Sequence, residues 1–269
     1  MIEILLETTA MILAALGGAC IGRITSGMRR FWIPGFLVPM LVLASVLLRW
    51  CLPSLEFIRP FDLIFAGRNE FTFTAIACTT ILSALTARLT DRRQKKLLGF
   101  LIIALTAYFS IPFVMPAVTY SSFAKQRSII SRDTVNCKQS TDYTCGPAAM
   151  TTALRKLGLK AEEGELAILS RSTWMFGTPG DMLARAVNRR YGRLGYRAEY
   201  RRFSDPAEIS KHLPLVAKIR FSALDDHYVC ILSMNKSTVT IADPSNGISD
   251  IPLRQFLHDW RWCGISVRF

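Results

Sequence analysis

Apolar residues crowd the first 120 positions of this 269-residue chain and thin out abruptly beyond them. Four stretches, 4–24, 31–48, 71–89 and 97–118, each run about 18 to 22 residues, the length a helix needs to cross a bilayer. The second contains no charge at all, whereas a helix buried in a soluble protein normally keeps a polar face. The pattern predicts a four-helix membrane unit over residues 1–120. In the first stretch Ala14, Gly18 and Gly22 recur every four residues, a small-residue stripe suited to close packing against another helix. Glu3 and Glu7 lie at its start, where a cleaved secretory signal would carry positive charge.

From about residue 121 the pattern changes. Lys125, Arg127 and Arg132 mark 121–132 as a tether, and residues 133–269 are enough for one compact core. Helix signals come first. Gly146 and Pro147 open a segment with Ala149, Ala153, Leu154 and Leu157 on one side, and Gly158 closes it. A short helix is predicted over 162–170. A third takes Thr178 as cap, Pro179 in its first turn and Gly192 after its last. The run "DPAE" at 205–208 reads as a capping box for a fourth. Strand-like runs follow at 215–221, 227–234 and 237–242, the last two joined as a hairpin at Asn235 and Lys236. A short helix over 252–260 and a strand over 264–269 complete an α+β domain.

Charge adds orientation and excludes one class of partner. The net charge of +13 splits into about +5 before residue 121 and +8 after it. Basic residues gather in the first interhelical loop (Arg29, Arg30, with Arg23 at its margin) and the third (Arg92, Arg93, Lys95, Lys96, with Arg88 just inside the preceding span), which predicts that these loops are cytoplasmic. In the second loop Arg49, Arg59 and Arg68 are interspersed with Glu56, Asp62 and Glu70. Four spans then put both chain ends, and the α+β domain, outside the cytoplasm. No nucleic-acid-binding motif accompanies the basic second half, so a lipid- or substrate-facing surface is the expectation and nucleic acid is not. Seven scattered cysteines do not form a disulfide framework, although one bridge in the second half stays open.

The candidate chemistry centres on "QSTDYTCGPAA", residues 139–149. Cys145 falls where a helix begins, so unpaired backbone N–H groups and the positive end of the helix dipole favour its thiolate. A small buried cysteine would also suit that position. His227 opens one strand of the predicted hairpin and Asp243 ends the other, which brings the two within a residue or two of facing each other. Asp243 can then fix the imidazole's tautomer and leave the other nitrogen for a thiol. Gln139 offers a side-chain amide beside the Cys145 N–H, two donors for an oxyanion. His212 and His258 lack such partners and read as structural or solvated. A zinc site built from Cys137, Cys145, His227 and Cys230 is a third reading, but spacings of C-x7-C and H-x2-C match no common zinc pattern.

These residues resemble a known family. Gln139 six positions before Cys145, "HYVCIL" from His227, "ADPSNG" around Asp243, "GTPGDMLARAV" and the terminal "WCGISV" are similar to the bacteriocin-processing leader peptidases, papain-like cysteine peptidases that cut after a double glycine. The resemblance covers roughly residues 133–269. It implies a papain-like fold, Cys145 as nucleophile, His227 as base, Asp243 as orienting acid and Gln139 in the oxyanion hole. It also implies a peptide or leader-peptide substrate, no cofactor or metal, and a separate exporter as a candidate partner. Thr144 departs from the acidic residue the family often carries before its cysteine. In the family's exporters the peptidase is cytoplasmic, precedes the membrane domain and is followed by an ATPase. Here the membrane part comes first and no GxxxxGK[ST] occurs, so this chain is not expected to pump by itself. The expectation is a multi-pass protein of a bacterial-type inner or plasma membrane with its peptidase domain extracytoplasmic. The competing expectation is a peptide-docking module that keeps the fold without turnover.

Overall fold

A computed structural model describes residues 2–28, 32–130, 135–222 and 225–269. Arg29, Arg30, Phe31 at the start of the second apolar stretch, and Arg132 of the predicted tether lie outside them. The chain divides into two compact units, Met1–Ala117 and Val118–Phe269.

The first unit is helical. Helices α1 (Ile2–Gly27), α4 (Asn69–Arg88) and α5 (Arg92–Lys125, which runs on into the second unit) are long and apolar enough to cross a membrane. Helix α2 (Trp32–Cys51) contributes a shorter apolar segment, Gly35–Arg49, and α3 (Phe61–Phe65) is a single turn between α2 and α4. The small-residue stripe of α1 packs on α4, although Ala15 and not Ala14 lies in the buried row with Met11, Gly18 and Gly22. Gly22 is required there: a Cβ on it would stand 2.1 Å from the Thr80 carbonyl oxygen. The close approach lets Thr80 Oγ1 donate to Gly18 O at 3.1 Å and Ser83 Oγ to Ala19 O at 2.6 Å, so α4's hydroxyls find acceptors on α1. In the segment joining α2 to α4, Arg49 pairs with Glu56 and Glu70, and its guanidinium lies over the Phe65 ring.

After the end of α5 the second unit forms a two-stranded ladder, β1 (Ile129–Ile130), within the predicted tether 121–132, against β2 (Cys137–Lys138). Three helices follow: α6 (Cys145–Lys156), α7 (Glu163–Leu169) and α8 (Gly180–Tyr191). Past the end of α6 the chain reverses at Gly158, whose φ of +82° suits a residue without Cβ. Helix α8 starts later than predicted. Pro179 occupies its cap position with no side-chain cap, and the Thr178 hydroxyl is bonded to Ser172 Oγ at 2.6 Å instead. The capping box at Asp205 and Glu208 forms as the sequence indicates, but it opens a 3-10 turn, Pro206–His212, and not an α-helix.

The remaining strands, β3 (Arg197–Arg202), β4 (Leu215–Arg220), β5 (Asp226–Met234), β6 (Thr238–Asp243), β7 (Gly247–Pro252) and β8 (Trp260–Arg268), make one antiparallel sheet in the order β3-β8-β4-β5-β6-β7, with α9 (Leu253–Asp259) between β7 and β8. Along β5 the side chains alternate. Tyr228 and Cys230 join a core with Met150, Leu154, Leu183 and Val187 of α6 and α8, while Val229 and Ile231 join Phe203, Ile209, Phe256 and Trp260 on the opposite face. Two strands escape the sequence reading. β3 reads "RAEYRR" and β7 "GISDIP", edge strands whose charged or exposed positions protect unpaired edges and leave only two core-facing apolar residues, Ala198 and Tyr200, in β3.

Candidate active site

Cys145 is the first residue of α6, half-buried, with Thr144 before it. The Thr144 hydroxyl does not cap the helix. It is taken up within the preceding turn, bonded to Thr141 Oγ1 at 2.9 Å and donating to Thr141 O at 3.0 Å. The helix start beside the sulfur therefore keeps its electropositive end uncapped by any side chain. Gly146 is pressed so closely to Leu183, Tyr228 and Thr178 that a Cβ would meet them at 3.3–3.4 Å, which docks the tip of α6 on β5 beside His227.

His227 and Asp243 come together as the hairpin predicts. The buried imidazole's Nε2 lies 2.8 Å from Asp243 Oδ1, and the Cys145 thiol lies near enough to help raise the imidazole's pKa. Ser245 N donates to Asp243 Oδ1 at 2.8 Å and Asn246 Nδ2 to Oδ2 at 2.8 Å, so both carboxylate oxygens are engaged. Burial alone would push the imidazole's pKa down. The hydrogen bonds to Asp243 and Cys145 and the charges they carry outweigh it, and the value is raised to about 9. Burial would push the Asp243 carboxyl up, but His227, Ser245 and Asn246 all favour its charged form and hold it at about 2. The Phe221 ring, 70% exposed, covers His227 from outside at 5.6 Å between centroids.

A one-residue slip in the β5–β6 ladder creates this meeting. Near the turn Met234 pairs with Val239 and Ser233 with Thr240; beyond Leu232 the pairs are Ile231 with Ile241 and Cys230 with Ala242. Without the slip, Asp243 would fall opposite Cys230, whose side chain faces the helices. With it, the ladder carries Asp243 to the level of Val229, on the His227 face.

Gln139 lies on the loop after β2, and its backbone N–H donates to Pro244 O at 3.0 Å, tying that loop to the residue after Asp243. Its side-chain Oε1 is buried with no partner among the described residues. All four residues named from the sequence thus belong to one neighbourhood. The other two histidines stand apart from it. His212 is buried against Arg268, whose Nη2 lies 2.9 Å from Nδ1, and burial together with Arg268 and Arg201 lowers its pKa. His258 is exposed beside Asp259. No disulfide joins any of the cysteines, and burial pushes the Cys137 thiol up to about 12 and the Cys230 thiol up as well. Among the described residues, no group of three or more His, Cys, Asp or Glu side chains is placed to hold a metal ion.

One residue the sequence reading passed over is Glu163, at the start of α7. It is fully buried and accepts from both Ser140 N at 3.0 Å and Ser140 Oγ at 2.8 Å. In "AEEGEL" three acids stand close together, and nothing in the string separates the buried one from its solvated neighbours.

A thiol, an imidazole and a carboxylate grouped in this way are the kinds of side chain that nucleophilic acyl chemistry uses. The chain belongs to the Peptidase C39 family, whose model matches residues 133–268, and the C-terminal part has that family's papain-like fold. Membership supports a peptidase role. An uncharacterised protein of Methanothermobacter marburgensis is 31% identical over 115 residues, covering 43% of this chain and 75% of the relative, and one of Methanothermobacter thermautotrophicus is 32% identical over the same span and coverage. Among solved structures, the peptidase domain of Streptococcus ComA, a bi-functional ABC transporter involved in quorum sensing, matches at 16% identity and a TM-score of 0.42, over 52% of this chain and 96% of that one. A double glycine motif protease from an AMS/PCAT transporter, in complex with the leader peptide, matches at 17% identity and a TM-score of 0.40, over 53% and 94%.

Proposed function

We propose that this chain is a membrane-anchored cysteine peptidase that cleaves a leader or other peptide after small residues such as Gly-Gly. In this reading Cys145 is the nucleophile, His227 the general acid and base, Asp243 the group that orients it, and Gln139 an oxyanion donor. The supporting observation is the buried His227–Asp243 hydrogen bond of 2.8 Å, with Cys145 near enough to the imidazole to help raise its pKa.

The chemistry follows from that arrangement. The imidazole holds the thiol's proton, and the sulfur attacks the scissile carbonyl carbon. Negative charge moves to the carbonyl oxygen, where the Gln139 amide and the Cys145 backbone N–H are the donors. The tetrahedral species collapses as His227 returns its proton to the leaving amine, which leaves a thioester on Cys145. Water, deprotonated by the same imidazole, hydrolyses that thioester and regenerates the thiol.

The membrane part of the proposal is four spans serving as an anchor, the second of them α2. Arg92, Arg93, Lys95 and Lys96 open α5, so the end of α5 that leads into the peptidase lies on the other side of the membrane, outside the cytoplasm. An exporter encoded separately would bring the substrate. Cys145→Ala in the full chain, in detergent and with a quenched-fluorescent Gly-Gly peptide, is expected to abolish cleavage. Undiminished cleavage rejects the mechanism, and a wild-type chain that binds the peptide without cutting it is the docking module. A topology reporter fused after Phe269 is expected to respond from outside the cytoplasm, and a cytoplasmic signal overturns the orientation.

A further inference from the structure

We infer that Glu163 is a positioning residue for the oxyanion hole, acting through Ser140 on the neighbouring Gln139. The inference rests on the peptidase reading above and extends its machinery to a side chain that touches no reacting atom.

The loop carrying Gln139 is fixed at two consecutive residues from opposite directions. On one side the Gln139 N–H is bonded to Pro244 O, next to Asp243. On the other, both hydrogen-bonding groups of Ser140, its N–H and its hydroxyl, end on the same Glu163 oxygen. Glu163 is itself held: its N–H donates to Ser128 Oγ at 2.7 Å, while Ser128 N donates to Glu162 Oε2 at 3.0 Å. The start of α7 is also pressed against the chain before β1, since a Cβ on Gly164 would stand 2.4 Å from Phe123 O. A chain of contacts thus runs from the 123–128 segment through Glu163 and Ser140 to Gln139 and Pro244.

A carboxylate is a costly group to bury, and here its second oxygen, Oε2, is buried without a partner among the described residues. A hydrophobic side chain would fill the space at lower cost but would leave the Ser140 N–H unsatisfied and the loop free to shift. A donor to a developing oxyanion must stand within a few tenths of an ångström of its place, so a loop fixed at both of these residues is what a Gln139 amide requires.

The test separates this role from a merely structural one by comparing two reactions of the same sulfur in the full-length chain. Peptide cleavage builds charge on a carbonyl oxygen and needs the oxyanion donors. Alkylation of Cys145 by iodoacetamide displaces iodide at a saturated carbon and does not. Removing one oxyanion donor costs about 10²- to 10³-fold in kcat, so Glu163→Ala, which loosens the donor without deleting it, is expected to lower kcat by about 10- to 100-fold. KM and the Cys145 alkylation rate should each stay within about two-fold. Glu163→Gln keeps an acceptor for Ser140 and is expected to retain most of kcat. In a Gln139→Ala background, Glu163→Ala should cost nothing further, because both act through one amide. Undiminished loss in that background, or alkylation falling in step with kcat, overturns the inference. If Glu163→Ala does not fold, Ser140→Ala removes one of the same two bonds and is read by the same comparison. Cleavage that survives Cys145→Ala defeats the peptidase reading itself, and the positioning role falls with it.

Discussion

Replacing Asp243 by asparagine removes the charge that holds the His227 proton while leaving the outline of the site unchanged. The asparagine Oδ1 can still accept from His227 Nε2 and Ser245 N, and Asn246 can turn its own amide to meet the new NH2. With Asp243 present the imidazole's pKa stands at about 9; without its charge burial pulls the ring down toward its ordinary 6.5, with Cys145 alone opposing it. The difference is largest between the two values. At pH 8, a pKa of about 9 leaves roughly nine-tenths of the rings protonated and a pKa of 6.5 about 3%, so a full return would lower the charged population about 30-fold. In free energy that full return is about 3 kcal/mol, the upper bound on what Asp243 contributes. Protonated imidazole is the form that delivers a proton to the leaving amine, so kcat/KM for the Gly-Gly peptide should show an alkaline limb near pH 9 in the wild type. In Asp243→Asn that limb should move down from about 9 toward 6.5, with the remaining activity shifted to lower pH. A pH–rate profile on both proteins, with Cys145 alkylation as the check that the site is intact, makes the measurement. An alkaline limb at the same pH in both would refute the reasoning, because Asp243 would then not be what holds the proton.

Other consequences follow from the same contacts. The His227–Asp243 pair should impose a pH window on stability: the raised imidazole contributes fully below 6.5 and loses its contribution as pH rises through about 9, while the lowered carboxyl contributes fully above 3.8 and loses its contribution as pH falls through about 2. Unfolding free energy, measured against pH for wild type and Asp243→Asn, should differ most between pH 3.8 and 6.5. Limiting iodoacetamide at neutral pH should mark Cys145 well ahead of Cys137 and Cys230, whose thiols burial pushes up; mass mapping of the labelled peptides reads this directly. Gly180→Ala would set a Cβ 2.7 Å from the Tyr200 ring and 2.8 Å from Tyr228 Oη, an overpacking worth about 1 to 3 kcal/mol that should appear as a lower melting temperature. Gly22→Leu should separate α1 from α4, read as loss of the thermal transition of the first unit in detergent.

How much of this was legible in the string depended on whether local rules settled the matter. The helix starting at Cys145 is marked by Gly-Pro and closed by Gly158, and it formed over Cys145–Lys156. The hairpin turn at Asn235 and Lys236 also formed, with Asn235 Oδ1 accepting from Ser237 N and Thr238 N. Where a tertiary partner claimed a side chain, the local signal misled. Thr178 has the chemistry of a helix cap, but its hydroxyl is bonded to Ser172 and α8 begins without one. The edge strands β3 and β7 carry too few apolar positions to stand out, because an edge needs charge more than burial.

The His227–Asp243 pairing is the instructive case, because the sequence placed the two near each other for an incomplete reason. Counting from the turn gives the right distance along the hairpin and the wrong face. Val239 opposite Met234 puts Asp243 opposite Cys230, and Cys230 packs into the helical core with Leu154 and Leu183. The slip beyond Leu232 turns the rest of the strand over by one position. That slip satisfies the cores as well as the site: it returns Ile241 to the side of Ile231 and Val229, and Ala242 to the side of Cys230. The burial pattern on both faces of the sheet therefore specifies the register, and the register delivers the carboxylate to the imidazole. Deleting Leu232 removes the extra residue without moving either flank: Ser233 can still pair with Thr240 and Ile231 with Ile241, so Asp243 stays at the level of Val229. The deletion should therefore keep the 2.8 Å His227–Asp243 bond and the raised imidazole pKa of about 9, which a histidine-detected NMR titration of the isotope-labelled chain would report. A Leu232 deletion in which His227 fell to its ordinary 6.5 would show that the irregularity itself, and not the pairing beyond it, delivers the carboxylate.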